Sequence, residues 1–267
     1  MVLTVLTKKM TLTSSKPEEP KIALVDADFL VYRIGFSTED EPVGIAKARL
    51  TEWLEDFIYI NLKADHYLAW ITGKSNYRYD IAKTVPYKGN RKDVLRPKHY
   101  EALREHLVKR HGAIITVGEE ADDTVAIDST KLLDKCWIVH VDKDLDQLQG
   151  WHYNPVRDER YYVDECTAYK SFATQLLTGD RIDNIPCLAG IGPKKAAKAL
   201  ENAKTEEELL EAAWKKYQEL GHTLEYFTEQ GQLLWLRRYE GQIWQVPNKL
   251  QLRSIQHLSE KDTTDII

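Results

Sequence analysis

The sequence predicts an α/β fold: a mostly parallel central sheet covered by helices on both faces, followed by a helical subdomain. Three observations carry this. Short apolar runs alternate with helical patterns through the first two thirds of the chain, acidic clusters follow three of those runs, and strand signals stop after about Asp164. A strand, helix, strand rhythm requires crossover connections, and crossovers lay parallel strands side by side.

Taken in order, residues 1–20 read as a loose tail without an ordered signal-peptide pattern. "KIALVD" is the first strand, and Ala46, Leu50, Trp53, Leu54, Phe57 and Ile58 recur at helical spacing behind it. "YLAWIT" is the second strand, and a helix is expected from Pro97 to His111 with the proline in its first turn. "AIITV" and "CWIVHV" are two further strands, separated by a helix from about Glu120 to Leu133. The acid-lined α/β core thus spans 21–163. In the helical part, 164–267, Thr205 and Glu208 stand at capping-box spacing before "TEEELLEAAWKKYQEL". Near the end, "EQGQLLWLRRYEGQIW" reads as an amphipathic helix followed by a less regular end, with a packing role.

The 267 residues are 43% hydrophobic and 30% charged, enough for a sizeable core. No window approaches the roughly 18 unbroken apolar residues of a membrane span. Cys136, Cys166 and Cys187 lie far apart, with no CxxC pair and no histidine at zinc-finger spacing. Neither a disulfide framework nor a structural zinc site is expected, and the cytoplasm is the expected compartment. The net charge of −5 is unevenly spread: Lys83 to Arg110 holds nine basic residues against three acids, an excess of six positive charges.

Acids gather where a parallel sheet presents its ligand-binding edge, the carboxyl ends of the strands. Asp26 and Asp28 close the first strand; Glu119, Glu120, Asp122 and Asp123 follow "AIITV"; Asp142, Asp144 and Asp146 follow "CWIVHV". Asp180 and Asp183 form a fourth cluster in "TGDRIDN". One aspartate after a strand is ordinarily a cap or a turn. Four clusters together repel one another unless cations neutralise them. Oxygen-only ligands without histidine or cysteine favour Mg²⁺ or Mn²⁺ over zinc, and two such ions about 4 Å apart serve in-line attack on a phosphodiester.

"VDAD", "YKGNRK", "GEEADD", "VDKDLD", "TGDRIDN" and "GIGPKK" occur in an order that resembles the 5′ nuclease and flap endonuclease superfamily, over roughly Ile22 to Leu200. The pattern is most similar to phage-encoded 5′ to 3′ exonucleases and the 5′ nuclease domain of bacterial DNA polymerase I. The resemblance implies that Asp26, Glu120, Asp122, Asp142 and Asp144 hold metal directly or through water, that Asp180 and Asp183 complete a second position, and that Asp123 belongs with them. It further implies two Mg²⁺ ions replaceable by Mn²⁺, and a basic arch over the site at about 83–110. There Lys88 acts near the scissile phosphate, Arg91 steers the backbone and Lys92 adds charge. Tyr87 and Tyr77 fit two readings, a stacking face for an unpaired base or a place in the core.

The spacing of Gly190, Gly192, Pro193, Lys194 and Lys195 resembles a helix-hairpin-helix at about 185–200, whose amides would hold a DNA phosphate, with K⁺ allowed there. The implied enzyme is a metal-dependent, structure-specific 5′ nuclease, a monomer in the cytoplasm, or the host cytoplasm if phage-encoded. Its partners would be DNA with a 5′ end or 5′ flap, and RNA in RNA–DNA hybrids. Two alternatives stand beside it: a PIN-type ribonuclease, and a DNA-binding protein of this fold without cleavage. One departure from the pattern is Gly73, which falls where relatives place an aspartate. Either the first metal site is one ligand short there, or Gly73 is a turn residue that needs a positive φ.

Overall fold

Alternate residues of a strand go to opposite faces, and in the central strands of this sheet both faces are buried. Residues 19–91 and 94–251 are described by a computed structural model; Lys92 and the expected tail up to residue 18 lie outside them. The strands are β1 (Ile22–Asp26), β2 (His66–Ile71), β3 (Ile114–Ile115), β4 (Cys136–Val139), β5 (Gly150–Asn154) and β6 (Glu159–Val163). Their order is β3-β2-β1-β4-β5-β6, parallel except for β6, which runs antiparallel to β5.

On one face Ala23, Val25, Ala69, Ile71, Trp137 and Val139 pack against α1 (Asp28–Ser37), α2 (Val43–Glu55) and the π-helical turn Asp56–Asn61. The short α3 (Arg78–Ile81) follows β2, and α4 (Tyr100–His111) joins the first layer through Leu103 and Leu107. On the other face Leu24, Trp70, Cys136 and Ile138 meet α5 (Ala121–Leu132). A third cluster unites α6 (Glu165–Thr178), α7 (Pro193–Ala199), α8 (Glu206–Glu219) and α9 (Leu224–Leu234) around Phe172, Leu209, Tyr217 and Phe227.

Three local expectations change. The helix expected from Pro97 begins at Tyr100, because Pro97 fills the hollow left by Gly35 while its carbonyl accepts from Tyr100 N at 3.0 Å. "AIITV" shortens to two paired residues, since the Thr116 side chain turns to bond the Glu119 carbonyl at 2.7 Å. The β5–β6 hairpin has no apolar alternation to announce it: Trp151, His152 and Tyr153 mix polar and apolar groups on consecutive positions.

Candidate active site

Polar groups concentrate where the buried strands end. Asp26 is the last residue of β1, and Asp28 opens α1 with its amide donating to Asp26 Oδ1 at 3.3 Å. Thr72 N donates to Asp28 Oδ2 at 3.0 Å, and Arg104 of α4 reaches Asp28 Oδ1 at 3.3 Å and the Thr72 carbonyl at 2.7 Å. Glu120 caps α5, and Asp122 sits in its first turn. After β4, Asp142 caps a 3₁₀ turn, Lys143–Gln147, by accepting from Asp144 N at 3.0 Å. Gln175 of α6 donates to Asp144 Oδ1 at 2.5 Å, and Asp183 arrives from the loop beyond α6. Seven carboxylates, these six and Asp28, line one groove of about 800 Å³ with Lys88, Arg91, Arg96 and Arg104 on its walls.

The groove's charge is only partly balanced. Lys88 Nζ bonds Glu120 Oε1 and lies 3.7 Å from Asp183, while Arg91 reaches Asp183 Oδ1 at 2.6 Å. Burial favours the neutral Glu120 carboxyl, yet Lys88 and Arg78 outweigh it and hold its pKa below the usual range. The others go the opposite way. Burial first, then neighbouring acids, raises Asp26 and Asp122 well above the ordinary aspartate value, and lifts Asp144 to about 8. Burial also raises Asp142 and Asp183. An oxygen-only donor set in which ionisation is disfavoured as the protein stands fits hard divalent cations, which supply the missing positive charge.

Not every expected residue faces this groove. Asp123 is fully buried and taken by Arg78 in a bidentate pair at 2.5 and 2.9 Å, and it also accepts from Glu120 N and Arg237 N; it is a structural anion with no free edge for metal. Asp180 turns inward to accept the amides of Ile182 and Asp183 at 2.6 and 3.1 Å, so it shapes the loop that presents Asp183. Tyr87, only 3% exposed, donates its hydroxyl toward Glu120 and Asp183, which closes it to base stacking. Tyr77 lies between the guanidinium groups of Arg78 and Arg237. The exposed aromatic on the groove is instead Tyr79, at 54%.

Gly73 lines the groove, but a Cβ there would collide with the Thr116 carbonyl oxygen, and its φ is not positive. Close approach of two backbones requires this glycine, and a side chain would aim at Thr116. Arg104, one of the nine basic residues from Lys83 to Arg110, points in toward Asp28. Gly190 and Gly192 precede α7, with Lys194 exposed; Lys195 Nζ donates to the Gly190 carbonyl at 2.8 Å, an oxygen of the kind K⁺ would need. Sequence reasoning passed over Asp28 as a strand end and gave Arg78 no role. The signal for Arg78 was faint: one arginine beside a tyrosine in a turn.

No protein-family profile matches the chain. A flap endonuclease Xni of Shewanella baltica is 32% identical over 196 residues, covering 68% of this chain and 74% of that protein. Flap endonuclease Xni of Shewanella putrefaciens is 29% identical over 203 residues, covering 69% and 76%. Among solved structures, the T5 5′-exonuclease with bound divalent zinc superposes with a TM-score of 0.57 at 19% identity, covering 80% of this chain and 88% of that one.

Proposed function

The chain belongs to the flap endonuclease family within the 5′ nuclease superfamily, and from that premise we propose that it hydrolyses DNA phosphodiesters at 5′ ends and 5′ flaps. The observation that carries the reading is the convergence of Asp26, Glu120, Asp122, Asp142, Asp144 and Asp183 from separate elements onto one groove rimmed by Lys88 and Arg91. These carboxylates would hold two divalent ions, Mg²⁺ or Mn²⁺, which when bound supply charge neutralisation at the phosphate and a water of lowered pKa.

The chain's own residues do the rest. Lys88 is fixed by its backbone, whose amide donates to the Asp183 carbonyl at 2.8 Å, so its ammonium stands at the rim where phosphate charge develops. Arg91 and Arg96 extend that positive wall along the expected strand path, and Tyr79 offers a face for an unpaired base. Lys194, Lys195 and the amides after Gly190 are proposed to grip duplex backbone at a distance from the chemistry, without reading sequence. Residues 21–163 would then cut together with Asp183, and the rest of 164–267 would hold. A monomer in the cytoplasm that also accepts RNA in RNA–DNA hybrids completes the proposal. Among the described residues no helix is long and apolar enough to cross a membrane.

Release of a labelled 5′ flap from DNA in Mg²⁺ tests the reading. Cleavage should vanish in excess chelator and return with Mn²⁺, and Ca²⁺ should support binding without turnover. Undiminished cleavage in chelator would overturn it.

A further inference from the structure

Beside the Asp142 turn, where the chain leaves β4 next to β5, two buried histidines face each other. His140 Nδ1 lies 2.5 Å from the Asp142 carbonyl, and His152 Nε2 lies 2.9 Å from the Leu148 carbonyl. A carbonyl only accepts, so each of these nitrogens carries the ring proton. The remaining nitrogens, His140 Nε2 and His152 Nδ1, are therefore both lone-pair acceptors, and they stand 2.8 Å apart. Two lone pairs at that distance repel unless something positive lies against both.

A carboxylate completes the set. The ligand atoms of His140, Asp146 and His152 all fall within 4.8 Å of one another, and the Tyr161 hydroxyl donates to Asp146 Oδ1 at 2.7 Å. The Tyr161 ring stacks on His152 at 5.2 Å, which fixes the imidazole plane. Asp146 and Tyr161 are half-buried, leaving the cluster a path from solvent.

From this geometry we infer that His140, His152 and Asp146 form a second metal site, selective for a borderline transition ion such as Zn²⁺ and separate from the carboxylate groove. Two imidazole nitrogens and one carboxylate suit zinc and disfavour Mg²⁺. Zn–N bonds of about 2.0–2.1 Å in a tetrahedral site set the nitrogens about 3.3 Å apart, so the rings need separate by only about half an ångström. The carbonyls of Asp142 and Leu148 already play the outer-shell part that orients metal-bound histidines. The ion would tie β4, the 3₁₀ turn and β5 together and stiffen the turn that carries Asp142 and Asp144. This holds whether or not the groove cuts DNA.

The test uses the full chain, stripped with chelator and then saturated with Mg²⁺ so that the groove carboxylates are occupied before Zn²⁺ alone is titrated. One equivalent of zinc should survive desalting, and Co²⁺ in its place should give the intense visible bands of a tetrahedral nitrogen-bearing site. Asp146→Ala and His152→Phe should each weaken zinc about 100-fold or more. Asp146 is half-buried, so its variant keeps the fold and decides the matter if His152→Phe does not. Zinc retention equal in the natural chain and Asp146→Ala would overturn the site. So would nitrogen NMR showing a proton shared between the two rings and unmoved by added zinc.

Discussion

Arg78 places a full charge where water cannot reach it, and each of its three nitrogens finds an acceptor: two bonds go to Asp123, one to the Leu233 carbonyl at 2.9 Å and one to the Trp235 carbonyl at 3.0 Å. Removing one partner strands the other, so Arg78→Met should destabilise by about 3–5 kcal/mol in denaturant unfolding. A loss under about 1 kcal/mol would show the pair to be dispensable. Asp142→Asn and Asp144→Asn should instead leave metal-free melting unchanged at acid pH and raise it near pH 8, lower cleavage at least about 100-fold and spare duplex binding. Gly73→Asp should lower the melting temperature without moving the Mg²⁺ midpoint, because its Cβ meets the Thr116 backbone. A lower Mg²⁺ requirement would restore the missing-ligand account. At this scale the acids after β1 and β4 are legible in sequence, since each follows a buried run that has no use for charge. Asp123 reads the same way as Asp122 and differs only by Arg78, forty-five residues away; a one-dimensional pattern holds no record of that pairing.

The segment between α3 and α4 forms one wall of the groove, and it is fastened at its start. Glu229 of α9 accepts from Lys83 N at 2.8 Å, from Thr84 N at 2.7 Å and from the Thr84 hydroxyl at 2.6 Å. Glu229→Ala should raise amide exchange at residues 83 and 84 and weaken flap-DNA binding, while the global melting temperature moves by only a few degrees. Unchanged exchange would mean that the wall is held elsewhere. Lys88→Ala should slow the chemical step more than it weakens binding, and Lys194→Ala with Lys195→Ala should do the reverse and flatten the salt dependence. Equal effects on both quantities would erase that division. Elements with uniform apolar character, β1, β2, β4 and the helices around them, are legible from periodicity. The β5–β6 hairpin is not, because its stability comes from cross-strand ring contacts such as Trp151 with Tyr162 and His152 with Tyr161, which exist only once the strands pair.

Across the whole molecule the groove stores an electrostatic imbalance with a definite pH signature. A carboxyl raised by folding favours the protonated state, so its contribution is fully present below its unfolded value near 4 and is lost as pH rises through the folded value, about 8 for Asp144. Metal-free protein should therefore lose stability between about pH 4 and 8 from these groups. Mg²⁺ should raise the melting temperature more at about pH 8 than at about pH 6, since protons then compete less for the same oxygens. A shift independent of pH would contradict the raised carboxyls. The order in which the chain is made adds a last consequence. Asp26 through Asp144 are synthesised first, but Asp183, the two carbonyls that satisfy Arg78 and the Glu229 anchor all come from residues 183 to 235. A nascent chain that stops short of residue 183 has most of the acids without the frame that aligns them, so a cutting edge forms only after residue 235 has left the ribosome.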